Sequence, residues 1–152
     1  MRVLLAFALC LAALGARAQQ PVEVPEWFPE SFLEFPQDVR EAAREGKRMV
    51  LYFWQPGCPY CKQIKETTLA EPGIVERMQR QFVPVALNLF GAREVEWLDG
   101  RRMSEKALAG ALGIRGTPTL IFLDEKGAEV QRLVGYVPPD RFARALQAAA
   151  RP

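Results

Sequence analysis

No histidine occurs among the 152 residues. Its absence removes Ser-His-Asp and Cys-His nucleophiles and every imidazole metal ligand. Cysteine is scarce as well: there are three, too few for the four ligands of a structural zinc site. A metal or iron-sulfur centre would need a second subunit or external ligands, so no metal and no cofactor is expected. A chain of this length can bury one domain's core without structural disulfides, which makes its few thiols chemical rather than structural. The apolar run Val3 to Leu14 is much shorter than the roughly 20 residues that cross a bilayer. An excess of one charge is also lacking: 20 Lys and Arg face 18 Asp and Glu. Near-neutrality gives no electrostatic ground for a nucleic acid or an anionic membrane surface as partner.

The N-terminus does carry an address. Met1-Arg2, the apolar run and Ala16-Arg17-Ala18 have the three regions of a secretory signal peptide, expected over residues 1–18 with cleavage before Gln19. A lipid anchor on Cys10 is disfavoured because Leu9 before it is not small. Losing Arg2, Arg17 and Cys10 leaves 18 basic against 18 acidic residues and two cysteines. The expected location is periplasmic or otherwise extracytoplasmic, where a thiol pair can persist as a disulfide.

Residues 19–36 hold Pro21, Pro25, Pro29 and Pro36, which forbid a long helix, yet carry Trp27, Phe28, Phe32, Leu33 and Phe35. An arm packed on the domain, with a short helical turn, is expected; a partner-docking surface is the alternative. Residues 37–152 form the domain. Asp38 is expected to cap a helix that Gly46 stops. The continuous apolar run Arg48 to Trp54 reads as a strand buried on both faces. A helix from Cys58 through Glu66, a helical piece from Ile74 to Gln81 and a strand from Phe82 to Leu89 follow. Residues 93–103 form a hairpin about Asp99-Gly100. Ser104 caps a helix closed by Gly113. Thr119 to Leu123 and Glu129 to Val134 pair across Glu125-Lys126-Gly127, and a last helix begins near Pro139. This order predicts an α/β fold, a central mixed sheet flanked by helices on both faces.

The chemistry centres on Cys58-Pro59-Tyr60-Cys61, directly after the first strand. Thiols three positions apart at a helix start lie about 5 Å apart at Cα, within reach of a disulfide. Cys58 sits where unpaired backbone N–H groups favour an anion, so it is the expected nucleophile; Cys61, one turn in, is the expected resolving thiol. Pro59 suits the first helical position.

With Trp54 ahead of that motif and Gly116-Thr117-Pro118 before a later strand, the chain resembles the thioredoxin superfamily over roughly residues 38–150. Within it, the N-terminal signal, Gln55-Pro56-Gly57 and the extra hairpin are most similar to exported proteins of the SoxW type. The resemblance implies a thioredoxin fold, a redox-active Cys58–Cys61 disulfide and a cis-Pro118 that presents the Thr117 backbone to substrate. Gly57, Tyr60 and Gly116 would shape the site. Trp54 either flanks it or is a core aromatic, and Trp97 either borders it or covers a sheet edge. The family's buried Asp and its Lys partner are replaced here by Tyr52 and Ala86. The resolving step is therefore expected to use water or another carboxylate, with Glu66 as candidate.

An exported thiol-disulfide oxidoreductase follows, monomeric, reducing disulfides of extracytoplasmic protein clients and recharged by a membrane thiol-disulfide electron donor. A disulfide oxidase or isomerase, or a non-catalytic binding module or chaperone, are the alternatives. Copper delivery fits poorly without a histidine ligand.

Overall fold

The computed structural model describes residues 22–150; the expected signal peptide lies outside them. Eleven labelled elements follow in order: α1 (Phe35–Arg44), β1 (Arg48–Trp54), α2 (Pro59–Glu66), α3 (Pro72–Gln81), β2 (Phe82–Asn88), β3 (Glu94–Glu96), β4 (Arg102–Ser104), α4 (Glu105–Ala111), β5 (Thr119–Leu123), β6 (Glu129–Val134) and α5 (Pro139–Ala149). A short 3-10 turn, Thr68–Ala70, links α2 to α3.

Four strands form a mixed sheet in the order β2-β1-β5-β6. β1 runs parallel to β2 and antiparallel to β5, and β5 is antiparallel to β6. Side chains alternate across β1 and so serve two apolar layers. Met49, Leu51 and Phe53 face α1 and α4, with Phe35, Val39 and Leu108. Val50 and Tyr52 face α2, α3 and α5, with Ile64, Met78 and Phe142. β5 divides in the same way, Ile121 and Leu123 to the first layer, Leu120 and Phe122 to the second. A run apolar at every position is what a strand covered on both faces requires. Phe122 fixes the second layer by edge-on contacts to Phe82 and Phe142, at centroid distances of 5.3 and 6.3 Å.

α1 begins a turn earlier than Asp38. Pro36 lies in its first turn, where a missing N–H costs nothing and the fixed φ suits the helix. Asp38, freed from capping, accepts the Ser31 hydroxyl at 2.9 Å. Burial raises its carboxyl above the ordinary value, against the Ser31 bond. α3 likewise starts at Pro72 rather than Ile74, with the Glu71 carboxylate accepting the Ile74 N–H at 2.8 Å. β2 ends at Asn88, one residue short of expectation.

The arm is stitched down from 22 to 34. Lys65 Nζ donates to the Val22 carbonyl (2.9 Å), the Tyr52 hydroxyl to the Glu23 carbonyl (2.9 Å) and the Trp27 indole to the Leu69 carbonyl (3.0 Å). Beyond it, β3 and β4 pair as a separate two-stranded sheet. Trp97, after β3, packs edge-on against Phe35 at 5.3 Å, so the hairpin covers the layer beneath α1.

β2 is an edge strand, and two of its outward backbone groups near its end are engaged. Arg93 Nη2 donates to the Ala86 carbonyl at 2.9 Å, and Glu105 Oε1 accepts the Asn88 N–H at 2.9 Å. Pro84, between them and the strand's start, has no N–H to offer.

Candidate active site

β1 delivers the chain to the end of the sheet at Trp54, and Gly57, at φ +71°, turns it into α2. That left-handed conformation is open to glycine at no steric cost. Cys58 occupies the N-cap of α2 and Pro59 the first turn. Cys58 and Cys61 are joined as a disulfide, with Cα atoms 5.2 Å apart.

Two donors converge on Cys58 Sγ. The Cys61 backbone N–H reaches it at 3.1 Å and the Thr117 hydroxyl at 3.2 Å. Both bonds, and the helix N-terminus, favour negative charge on that sulfur once the disulfide opens. Cys58 is 5% exposed and Cys61 not at all, so an incoming sulfur meets Cys58 first. Thr117 arrives from 59 residues away, on the segment leading into β5; the Thr117–Pro118 peptide is cis. The Gly116 carbonyl accepts the Thr119 hydroxyl at 2.8 Å and steadies this segment. Tyr60 stands 59% exposed beside the pair. Trp54 is half-buried and lines a cleft of about 700 Å³ between the arm and β2, along with Phe28, Lys65 and Arg93.

Tyr52 and Ala86 face each other across β1 and β2. Tyr52 is fully buried, and its hydroxyl is spent on the Glu23 carbonyl. Burial, reinforced by the Glu23 charge, holds the phenol far above its ordinary value of 10.0, so it accepts no proton near neutrality. Glu66 is mostly exposed and pairs loosely with Lys62 at 3.9 Å. The carboxylate buried against the cysteine-bearing helix is instead Glu23, whose side chain is 7% exposed and lies 4.0 Å from Lys65 Nζ. Lys65 is one helical turn beyond Cys61, on the same side of α2. Glu23 was missed in the sequence because the arm's path is not written in any periodicity. Glu105, 1% exposed, was missed for a different reason: a Glu at a helix start ordinarily faces solvent. Among the described residues, no group of three or more Cys, Asp or Glu is placed to hold a metal ion.

Known proteins resemble this chain in sequence and in fold. The chain is 25% identical over 103 residues to the thiol:disulfide interchange protein DsbD of Photorhabdus laumondii, a match covering 66% of this chain and 16% of that protein. The chain thus spans about one sixth of the length of the curated relatives it matches. A thioredoxin-fold protein from Helicobacter pylori superposes with a TM-score of 0.63 at 22% identity, covering 78% of this chain and 81% of that one. The oxidised C-terminal domain of Neisseria meningitidis DsbD does so with a TM-score of 0.56 at 21% identity, over 77% and 93%. The family model of the thioredoxin-like domain matches residues 35–150. That span runs from the first residue of α1 to the residue after α5, cysteine pair included, and the chain belongs to the thioredoxin-like domain family.

Proposed function

We propose that this protein is an extracytoplasmic thiol-disulfide oxidoreductase that reduces disulfides in protein clients. The convergence of the Cys61 N–H and the Thr117 hydroxyl on Cys58 Sγ carries the reading, because it readies one sulfur of the pair for attack. In the reduced protein the Cys58 thiolate attacks a client disulfide; that S–S bond breaks, and the far client sulfur leaves with the electron pair. Cys61 then gives up its proton, attacks Cys58 Sγ and releases the second client thiolate. Two electrons pass to the client, and the protein is left with the Cys58–Cys61 disulfide. Trp54, Gly57, Pro59, Tyr60, Gly116, Thr117 and Pro118 shape the surface on which the client lies.

A membrane thiol-disulfide carrier would return the electrons; the similarity to thiol:disulfide interchange proteins supports that class of partner. The leader-like residues 1–18 support export. The SoxW-type resemblance adds a client tied to sulfur-compound oxidation. The protein would act as a monomer, its arm (19–36) and domain (37–152) as one unit.

Titration of the Cys58/Cys61 couple against glutathione, together with reduction of a protein disulfide followed by turbidity, tests the reading. A potential near that of thioredoxin, about −270 mV, and loss of reduction in Cys58→Ser are expected. A potential near −120 mV, characteristic of strong oxidants, would reverse the direction of electron flow. Activity that survives loss of both cysteines would remove the redox assignment.

A further inference from the structure

A second feature shares the end of the sheet that carries the redox pair. Trp54, at the end of β1, faces Asn88, at the end of β2, while Phe53 faces Thr119 at the start of β5. From that common edge the chain leaves β1 towards Cys58, leaves β2 towards Phe90, and enters β5 from Thr117-Pro118. Neighbouring strands lie about 4.8 Å apart, so the loop after β2 leaves the sheet next to the one that leads into the cysteine motif. Phe90 is 62% exposed. The fold gains little from it, because it leaves most of its apolar area in water.

The loop that carries Phe90 is firmly built. Glu105 Oε1 accepts the Asn88 N–H at 2.9 Å and the Arg93 guanidinium at 2.6 Å, and Oε2 accepts the Arg93 N–H at 3.4 Å. Asn88 closes the turn, its side-chain oxygen taking the Phe90 N–H (3.0 Å) and its carbonyl the Gly91 N–H (2.9 Å). The Leu89 N–H donates to the Trp54 carbonyl at 2.8 Å, tying the loop to the strand that leads into the cysteine motif. At Gly91 a Cβ would collide with the Glu105 carboxylate. Burying a carboxylate costs several kcal/mol unless hydrogen bonds compensate it, and here they are directed at immobilising a loop with an exposed aromatic at its tip. An aromatic already held in place loses little further freedom on contact, which is the property of a binding anchor.

We propose that Phe90 is a specificity-determining contact for the client, taking an apolar side chain two residues from the attacked cysteine in an extended segment. Side chains on one face of such a segment recur every 7 Å or so, so the residues flanking the cysteine on its own face are the ones that meet a neighbouring loop at the same end of the sheet. The proposal rests on the oxidoreductase reading.

The test uses the reduced, full-length protein and seven-residue peptides whose central cysteine is disulfide-bonded to nitrothiobenzoate, with Leu or Ser two positions to either side. Cys58 attacks the peptide sulfur and coloured nitrothiobenzoate leaves; Cys61 then displaces the peptide thiolate and closes the protein disulfide. For one of the two Leu positions the Leu peptide is expected to react about 5–10-fold faster than the Ser peptide, the size of a partial leucine burial. In Phe90→Ser the ratio falls to about one, and in Phe90→Tyr it is retained. A structural role for Phe90 would slow both peptides alike and leave the ratio standing, which overturns the proposal. Equal rates with wild-type protein overturn it as well. Failure of the wild-type protein to react with any of the disulfides is a different result, removing the parent reading and this one with it.

Discussion

Tyr52 shows how one residue can hold a position's place in a fold while changing its job. The side chain remains in the centre of the sheet, but its hydroxyl serves as a donor to the arm, to the carbonyl of a residue 29 positions earlier. Tyr52→Phe leaves that buried carbonyl without its partner and should lower stability by about 1–3 kcal/mol at neutral pH, read from urea unfolding. The pH dependence follows from the raised phenol. Folding favours the protonated form, so Tyr52 contributes fully below the ordinary value of 10.0 and its contribution is lost as pH rises beyond it. Wild-type stability should therefore fall more steeply above about pH 10 than that of Tyr52→Phe; parallel curves would show that the phenol is not held as described. The sequence reveals that Tyr52 stands where a carboxylate was expected. It does not reveal Glu23, because a buried acid delivered by a proline-rich arm depends on tertiary packing alone.

At the level of elements, local chemistry was legible wherever a cap or a turn demands a particular residue. Ser104 accepts the Ala107 N–H at 3.1 Å and opens α4, and Gly113 closes it at φ +67°. Ser104→Ala should cost about 1 kcal/mol, measured by denaturant unfolding. One position further, the same kind of reading fails. Glu105→Ala should cost about 1–3 kcal/mol, chiefly because it leaves the Asn88 N–H without its partner, and amide exchange should rise across the Asn88–Arg93 loop. A loss no larger than that of Ser104→Ala would show that the loop does not depend on Glu105. The start of α1 was misplaced because Asp38 is a good cap in isolation, whereas Pro36 ahead of it is an equally good first-turn residue. Ser31 decides between the two by engaging the Asp38 carboxylate.

Across the whole molecule, β1 belongs to both apolar layers, so neither can come apart without the other. The arm adds Leu33 to one layer and packs Val24, Trp27 and Phe28 on the second. Unfolding should accordingly be a single transition, with tryptophan fluorescence, to which Trp27 in the arm and Trp97 beside α1 contribute, coinciding with far-ultraviolet circular dichroism. An early fluorescence step would mean that the arm is a separate, weaker unit. The order and type of elements could be read because periodicity, capping and turn residues agree along most of the chain. The route of the arm, the grip of Glu105 and the display of Phe90 could not, since each depends on partners distant in sequence.

The engaged end of β2's border bears on how the proposed reaction would finish. On the proposed function the protein would meet partly unfolded chains, and an open strand edge would adhere to them through the backbone without regard to sequence. Here the Ala86 carbonyl and the Asn88 N–H are already claimed by Arg93 and Glu105. At these positions a client would find no free backbone group to pair with, so its departure would be governed by the covalent exchange and by side-chain contacts rather than by peeling away an added strand. Turnover in the proposed reaction would thereby be protected at the end of β2 that leads to Phe90.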